Sequence, residues 1–117
     1  MSIGKLRGDY GERLALRFLE ARGYSLLVKN FRCGRQELDL VMRQADTVVF
    51  VEVKARTGLS YGTPAEAVDA RKRRNLLLAA QAYLMEHSLS DMPARFDVIE
   101  VYLPHGEIRH IVNAFGQ

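Results

Sequence analysis

A chain of 117 residues with 48% hydrophobic side chains is one domain's worth, able to bury a core of its own. Its net charge of +3 is too modest to mark a protein that grips nucleic acid by bulk charge alone. No apolar run approaches the ~20 residues of a membrane span, the amino terminus carries no signal-peptide core, and the single cysteine, Cys33, excludes an internal disulfide, so one cytoplasmic domain over residues 1–117, with no membrane partner, is expected.

Taken along the chain, Leu6, Tyr10, Leu14 and Phe18, broadened by Leu16 and Leu19, predict a core-packed helix from about Lys5 to Arg22. Glu12 falls on the flank of that stripe, four residues before Leu16 and seven before Leu19, and is expected to point toward the edge of a sheet. Taken alone it reads as an ordinary, partly exposed helix acid. A strand follows from about Tyr24 to Phe31, and Cys33 reads as a loop residue without chemistry.

Two apolar runs come next, Glu37 to Met42 and Val48 to Lys54, whose only interior charges are Glu37, Asp39, Glu52 and Lys54. A hairpin turning symmetrically at Gln44 to Thr47, with Ala45 and Asp46 at its tip, sets Asp39 against Glu52 and Glu37 against Lys54. All four groups then share one face. Like charges directly opposed across two strands are destabilising unless something compensates, and a hard divalent cation such as Mg²⁺ takes one or two carboxylates, leaving its other positions to water and phosphate. Asp39 and Glu52 suit that description, and Lys54 is placed to orient a water or to stabilise charge on a phosphoryl transition state. The competing reading is an internal salt-bridge network, although buried ion pairs are weak devices for stability alone.

The glycine-bearing segment Gly58 to Gly62, with Ser60 and Tyr61, reads as a loop after the second run, and Thr63-Pro64-Ala65-Glu66 as a short capped helical turn. Asp69 then caps a helix from about Ala70 to His87. Its first turns hold Arg71, Lys72, Arg73 and Arg74, which oppose the helix dipole and so call for an anion such as phosphate; a solvated surface is the alternative. With Arg32, Arg35 and Arg56 around the acids, and Arg7, Arg13, Arg17 and Arg22 along the first helix, these cations read as an arc around an anionic centre; the alternative is a solvated charged surface, the better reading of the first-helix arginines taken individually. Arg95 to Leu103 and Glu107 to Val112 read as strands joined by a turn at Pro104-His105-Gly106. His87, His105 and His110 have no metal-ligand spacing. The order helix, three strands, helix, two strands predicts an α/β domain with a mixed five-stranded sheet flanked by helices.

Glu12, Glu37-Leu38-Asp39 and Glu52-Val53-Lys54 together resemble the signature of the PD-(D/E)xK nuclease superfamily, which implies a restriction-endonuclease-like fold. More closely, Gly8-Asp9-Tyr10-Gly11-Glu12, Val51-Glu52-Val53-Lys54-Ala55-Arg56 and Arg95-Phe96-Asp97-Val98 resemble the uncharacterised bacterial YraN-like family, itself similar to archaeal Holliday junction resolvases. Leu38 stands where the superfamily's nominal proline would be, and Gln36 where the YraN-like pattern usually has glycine. The resemblance implies that Asp39 and Glu52 ligate Mg²⁺ or Mn²⁺, that Lys54 is the catalytic lysine and that Glu12 is an accessory acid. Arg56 and Arg71 to Arg74 are the expected nucleic-acid contacts. A metal-dependent nuclease for structured or branched DNA is the leading expectation, and a non-catalytic nucleic-acid-binding module on the same scaffold is the alternative. A homodimer would suit the cutting of two strands of a junction.

Overall fold

In a computed structural model the described residues are 3–57 and 69–115, with the side chains of 3–7 and 57 excepted. The expected loop at Gly58 to Gly62 and the turn at Thr63 to Glu66 lie outside them. The elements are α1 (Ile3–Glu20), β1 (Ser25–Cys33), β2 (Gln36–Gln44), β3 (Thr47–Thr57), α2 (Ala70–Glu86), β4 (Ala94–Leu103) and β5 (Glu107–Phe115), in the order predicted. They build one five-stranded sheet in the order β1-β2-β3-β4-β5. Every neighbouring pair is antiparallel except β3 and β4, which are parallel and so need a crossover, supplied by α2. Among the described residues, no helix is long and apolar enough to cross a membrane.

Among the described residues, each face of the sheet is covered by one helix. On one side α2 lays Leu76, Ala79, Ala80 and Tyr83 on Val48, Phe50, Phe96 and Val98. On the other, Ala15 and Leu19 of α1 pack on Leu40, Met42, Val49, Val51 and Ile99. The buried face of α1 is thus centred on Gly11, Ala15 and Leu19, whereas Tyr10, in the middle of the predicted stripe, is 43% exposed. Small residues win because the helix lies close to β3: a methyl group added to Gly11 would meet the Ala55 side chain at 3.3 Å. Cys33 is the last residue of β1, half-buried against the α2-side core, and is not in a loop.

The α2 face divides along a straight line. Where the helix covers the sheet, β3, β4 and β5 present Val48 and Phe50, Phe96 and Val98, and Ile111 and Phe115. Beyond its amino terminus the same strands carry Lys54, Glu100 and Arg109, which are partners across the sheet. Asp69 holds the helix at that boundary by accepting the Lys72 N–H at 2.8 Å, as an N-cap should. Asp69→Ala is expected to cost about 1 kcal/mol in urea denaturation.

On the opposite face, Asp97 of β4 is fully buried. It accepts hydrogen bonds from Arg95 Nε at 3.0 Å and the Asn113 N–H at 2.9 Å, and lies 2.8 Å from His110 Nε2. Arg95 in turn donates to Tyr24 Oη and Gln44 Oε1, so that one aspartate fastens β4 to β5 and, through the guanidinium, to the start of β1 and the end of β2.

Candidate metal and phosphate cleft

The β2–β3 hairpin has the predicted register: the rungs run from Gln44–Thr47 through Met42–Val49 to Leu40–Val51. At the next step the ladder ends. Asp39 places its carboxylate between the strands, where Oδ2 accepts the Val53 N–H at 2.9 Å and takes the place of a strand carbonyl. On β1 the pairing keeps one register from Lys29–Leu40 to Phe31–Leu38 across Asn30, whose φ of 56° is left-handed, and its register shift lies further back, between Leu26 and Val28. Side-chain alternation along β2 breaks at Asp39, since Leu38 and Val41 both join the α2-side core.

Where β2 and β3 part, a cleft of about 640 Å³ opens under the first turn of α2, lined by Glu37, Asp39, Glu52, Lys54, Arg71 and Lys72. Glu52 is 4% exposed. Burial, reinforced by Asp39, pushes its carboxyl up to about 7 against the pull of Lys72 and Lys54. Asp39 is also raised, by burial first, while the Val53 N–H and Lys54 oppose the shift. Burial and the neighbouring Lys72 lower the Lys54 ammonium. The fold therefore crowds like charges together and removes them from water, the condition in which a divalent ion has most to offer.

Each sequence-predicted residue has a definite place. Asp39, Glu52 and Lys54 share the cleft, as do Arg71 and Lys72 from the basic block. Arg73 turns instead toward the Phe115 ring, 5.9 Å from its centroid, and Arg74 is an exposed residue of the same helix. Arg56 is occupied with Glu100, donating from Nε to Oε2 at 2.8 Å, within a group completed by the Tyr102 hydroxyl at 2.9 Å and Arg109 at 3.8 Å. Glu37, whose rung with Lys54 does not form, lies 3.3 Å from Arg32 Nε across β1. Glu12 lies on the α1 side, in a smaller hollow of about 270 Å³ with Asp9, Lys29 and Asn30. Its carboxyl is pushed up to about 7 by burial, then by Asp39, Glu37 and Asp9, against a hydrogen bond from the Asn30 side chain. It reaches the cleft through the charge of Asp39.

Lys72 is the residue whose position the basic block concealed. Its Nζ lies 3.5 Å from Glu52 Oε2. The signal was present in helical spacing, because Lys72 begins the series that continues as Leu76, Ala79, Ala80 and Tyr83, the buried face of α2. Asp97 and Glu100 were equally visible as charges inside an apolar strand.

These features define a class, a three-layer α/β protein with an acidic, lysine-bearing cleft where a hairpin forks beneath a crossover helix. The chain belongs to the uncharacterised protein family UPF0102, whose sequence pattern matches residues 11–101. Its relatives include a UPF0102 protein of Clostridioides difficile (strain 630), 41% identical over 111 residues that cover 95% of this chain and 97% of the relative. Another, from Pelobacter propionicus, is 47% identical over 113 residues, covering 92% and 81%. The YraN-like resemblance is borne out at the level of the family. Among solved structures, SfsA of Pyrococcus furiosus in complex with Ca²⁺ is similar with a TM-score of 0.39 at 14% identity; the match covers 92% of this chain and 62% of that one.

Proposed function

We propose that the protein is a Mg²⁺- or Mn²⁺-dependent phosphodiesterase acting on nucleic acid, with structured or branched DNA as its substrate. One observation carries the reading: Asp39 and Glu52, both resisting ionisation through burial, open on one cleft with Lys54 and two helix cations.

The donor set fits a hard cation. Asp39 spends one oxygen on Val53 and keeps the other, and Glu52 has an ammonium as its partner, one that can be exchanged for a metal. Among the described residues no group of three or more His, Cys, Asp or Glu side chains is placed to hold a metal ion, so the proposed site rests on two carboxylates alone. An ion here would keep positions for water and phosphate, the habit of Mg²⁺. Held by Asp39 and Glu52, it would supply an acidified water and a Lewis acid for the scissile phosphate. Lys54, two residues beyond Glu52 and with its ammonium partly desolvated, orients the attacking water and faces the charge that builds on phosphorus. Arg71 and Lys72, at the mouth of a helix whose N–H groups already favour anions, hold the backbone in place. Glu12, on the far side of the sheet and with its own carboxyl raised by burial and then by Asp39, is the accessory acid of this reading.

Purified protein incubated with Mn²⁺ and branched, duplex or single-stranded DNA is expected to cut at least one of them, and Asp39→Ala and Lys54→Ala preparations to be inert. Equal cutting by all three preparations would identify a contaminant and overturn the reading. Salt-sensitive binding without cleavage would favour the binding module on the same scaffold.

A further inference from the structure

We propose that Lys72 is a resident cation that neutralises Glu52 until a divalent ion arrives and is then released to a substrate phosphate, so that one side chain couples the two binding events. This rests on the metal-dependent reading above.

The two halves of the ion pair differ in their freedom. The Glu52 side chain is 5% exposed, whereas the Lys72 side chain is 40% exposed and sits in the first turn of its helix. The backbone of Lys72 is fixed by Asp69, and its stem leaves the helix on the side that buries Leu76 and Ala80. What remains mobile is four methylenes and an ammonium, a compact charge on a flexible tether. At 3.5 Å the ammonium makes a loose pair, adequate to offset part of the cost of a buried carboxylate and easily exchanged.

A divalent ion bound between Asp39 and Glu52 brings twice the charge to the same oxygens and repels both neighbouring ammonium groups. Lys54 is half-buried and belongs to the middle of the sheet, so it stays. Lys72 can move outward, toward Arg71 on the rim of the cleft. Metal binding thus exposes a second cation where a phosphate would lie, and phosphate binding in turn keeps Lys72 from returning to Glu52. Linkage requires the effect to be reciprocal: Lys72 weakens metal binding to the free protein, and metal strengthens phosphate binding through Lys72.

Lys72→Met, which keeps the stem and removes the charge, tests both halves. Calorimetric titration with Mn²⁺ in the absence of nucleic acid is expected to give roughly three- to tenfold tighter binding for the variant than for wild type. In a second titration, a short DNA duplex with and without Ca²⁺, wild type gains more affinity from the ion than the variant does. Melting curves without metal verify folding, and Lys72→Gln serves if the methionine variant does not fold. Mn²⁺ binding that is unchanged or weaker in a folded variant would overturn the role of Lys72 and leave the metal-dependent reading intact. Absence of Mn²⁺ binding in both proteins would overturn the two together.

Discussion

Glu52→Gln is expected to lower Mn²⁺-dependent hydrolysis by about 10²–10³-fold and, at the same time, to stabilise the metal-free protein at pH 8 by about 2 kcal/mol. Both effects come from one oxygen. Glutamine removes the charge a cation requires, and it also removes a charge the packing resists. The carboxyl moves from an ordinary 4.5 to about 7 on folding, so between those values the folded state holds a proton that the unfolded state has lost. Stability contributed by this group therefore falls as pH rises from about 4.5 through about 7 and stays low above that. A shift of that size corresponds to roughly 3 kcal/mol, and the gain on substitution is smaller because a buried amide needs hydrogen-bond partners of its own and Lys72 loses its acceptor. Urea denaturation at pH 5 and pH 8 separates the effects: wild type and variant should be close at pH 5 and diverge at pH 8. Destabilisation of similar size at both values would show that Glu52 is a structural ion-pair member and would remove the main support for a cation site.

Asp97→Ala is expected to have the opposite profile, costing about 3–5 kcal/mol of stability. Removing the carboxylate strands the Arg95 guanidinium, His110 and the Asn113 N–H around an apolar gap. Burial alone would raise the carboxyl, but hydrogen bonds from His110, Arg95 and Asn113 hold it below its usual 3.8. Its contribution is therefore fully present above pH 4 or so and is lost only in stronger acid. A native domain has on the order of 5–15 kcal/mol in total, so the variant should be near the limit of folding at 37 °C. A change in urea midpoint equivalent to less than about 1 kcal/mol would show that the network is dispensable.

Much of the architecture was legible because local rules agreed with one another. Ala45 and Asp46 at the centre of the hairpin, with alternating apolar residues on each arm, placed Leu40 opposite Val51 correctly. Asp69 marked the start of α2 to the residue. What was not legible depends on partners distant in the chain. The in-plane turn of Asp39 satisfies the Val53 N–H on the neighbouring strand, and no pattern within β2 announces it. The engagement of Arg56 by Glu100 depends on the parallel register of β3 with β4, which places Lys54 beside Glu100 and Arg56 beside Tyr102. In α1 the long apolar residues drew attention away from Gly11 and Ala15, whose small size allows the helix to come close to β3.

The carboxylate of Asp39 stands in for a missing rung, receiving an amide hydrogen at the fork of two strands. Under the proposed reading, folding and chemistry thus select on the same carboxylate, one through each oxygen. A relative with no catalytic activity would still keep an acid or an amide there to avoid fraying its sheet, so persistence of that residue among relatives is a poor witness to enzymatic life. Glu52 and Lys54, whose charges the surrounding packing penalises, are the better witnesses, since drift without function would discard them first.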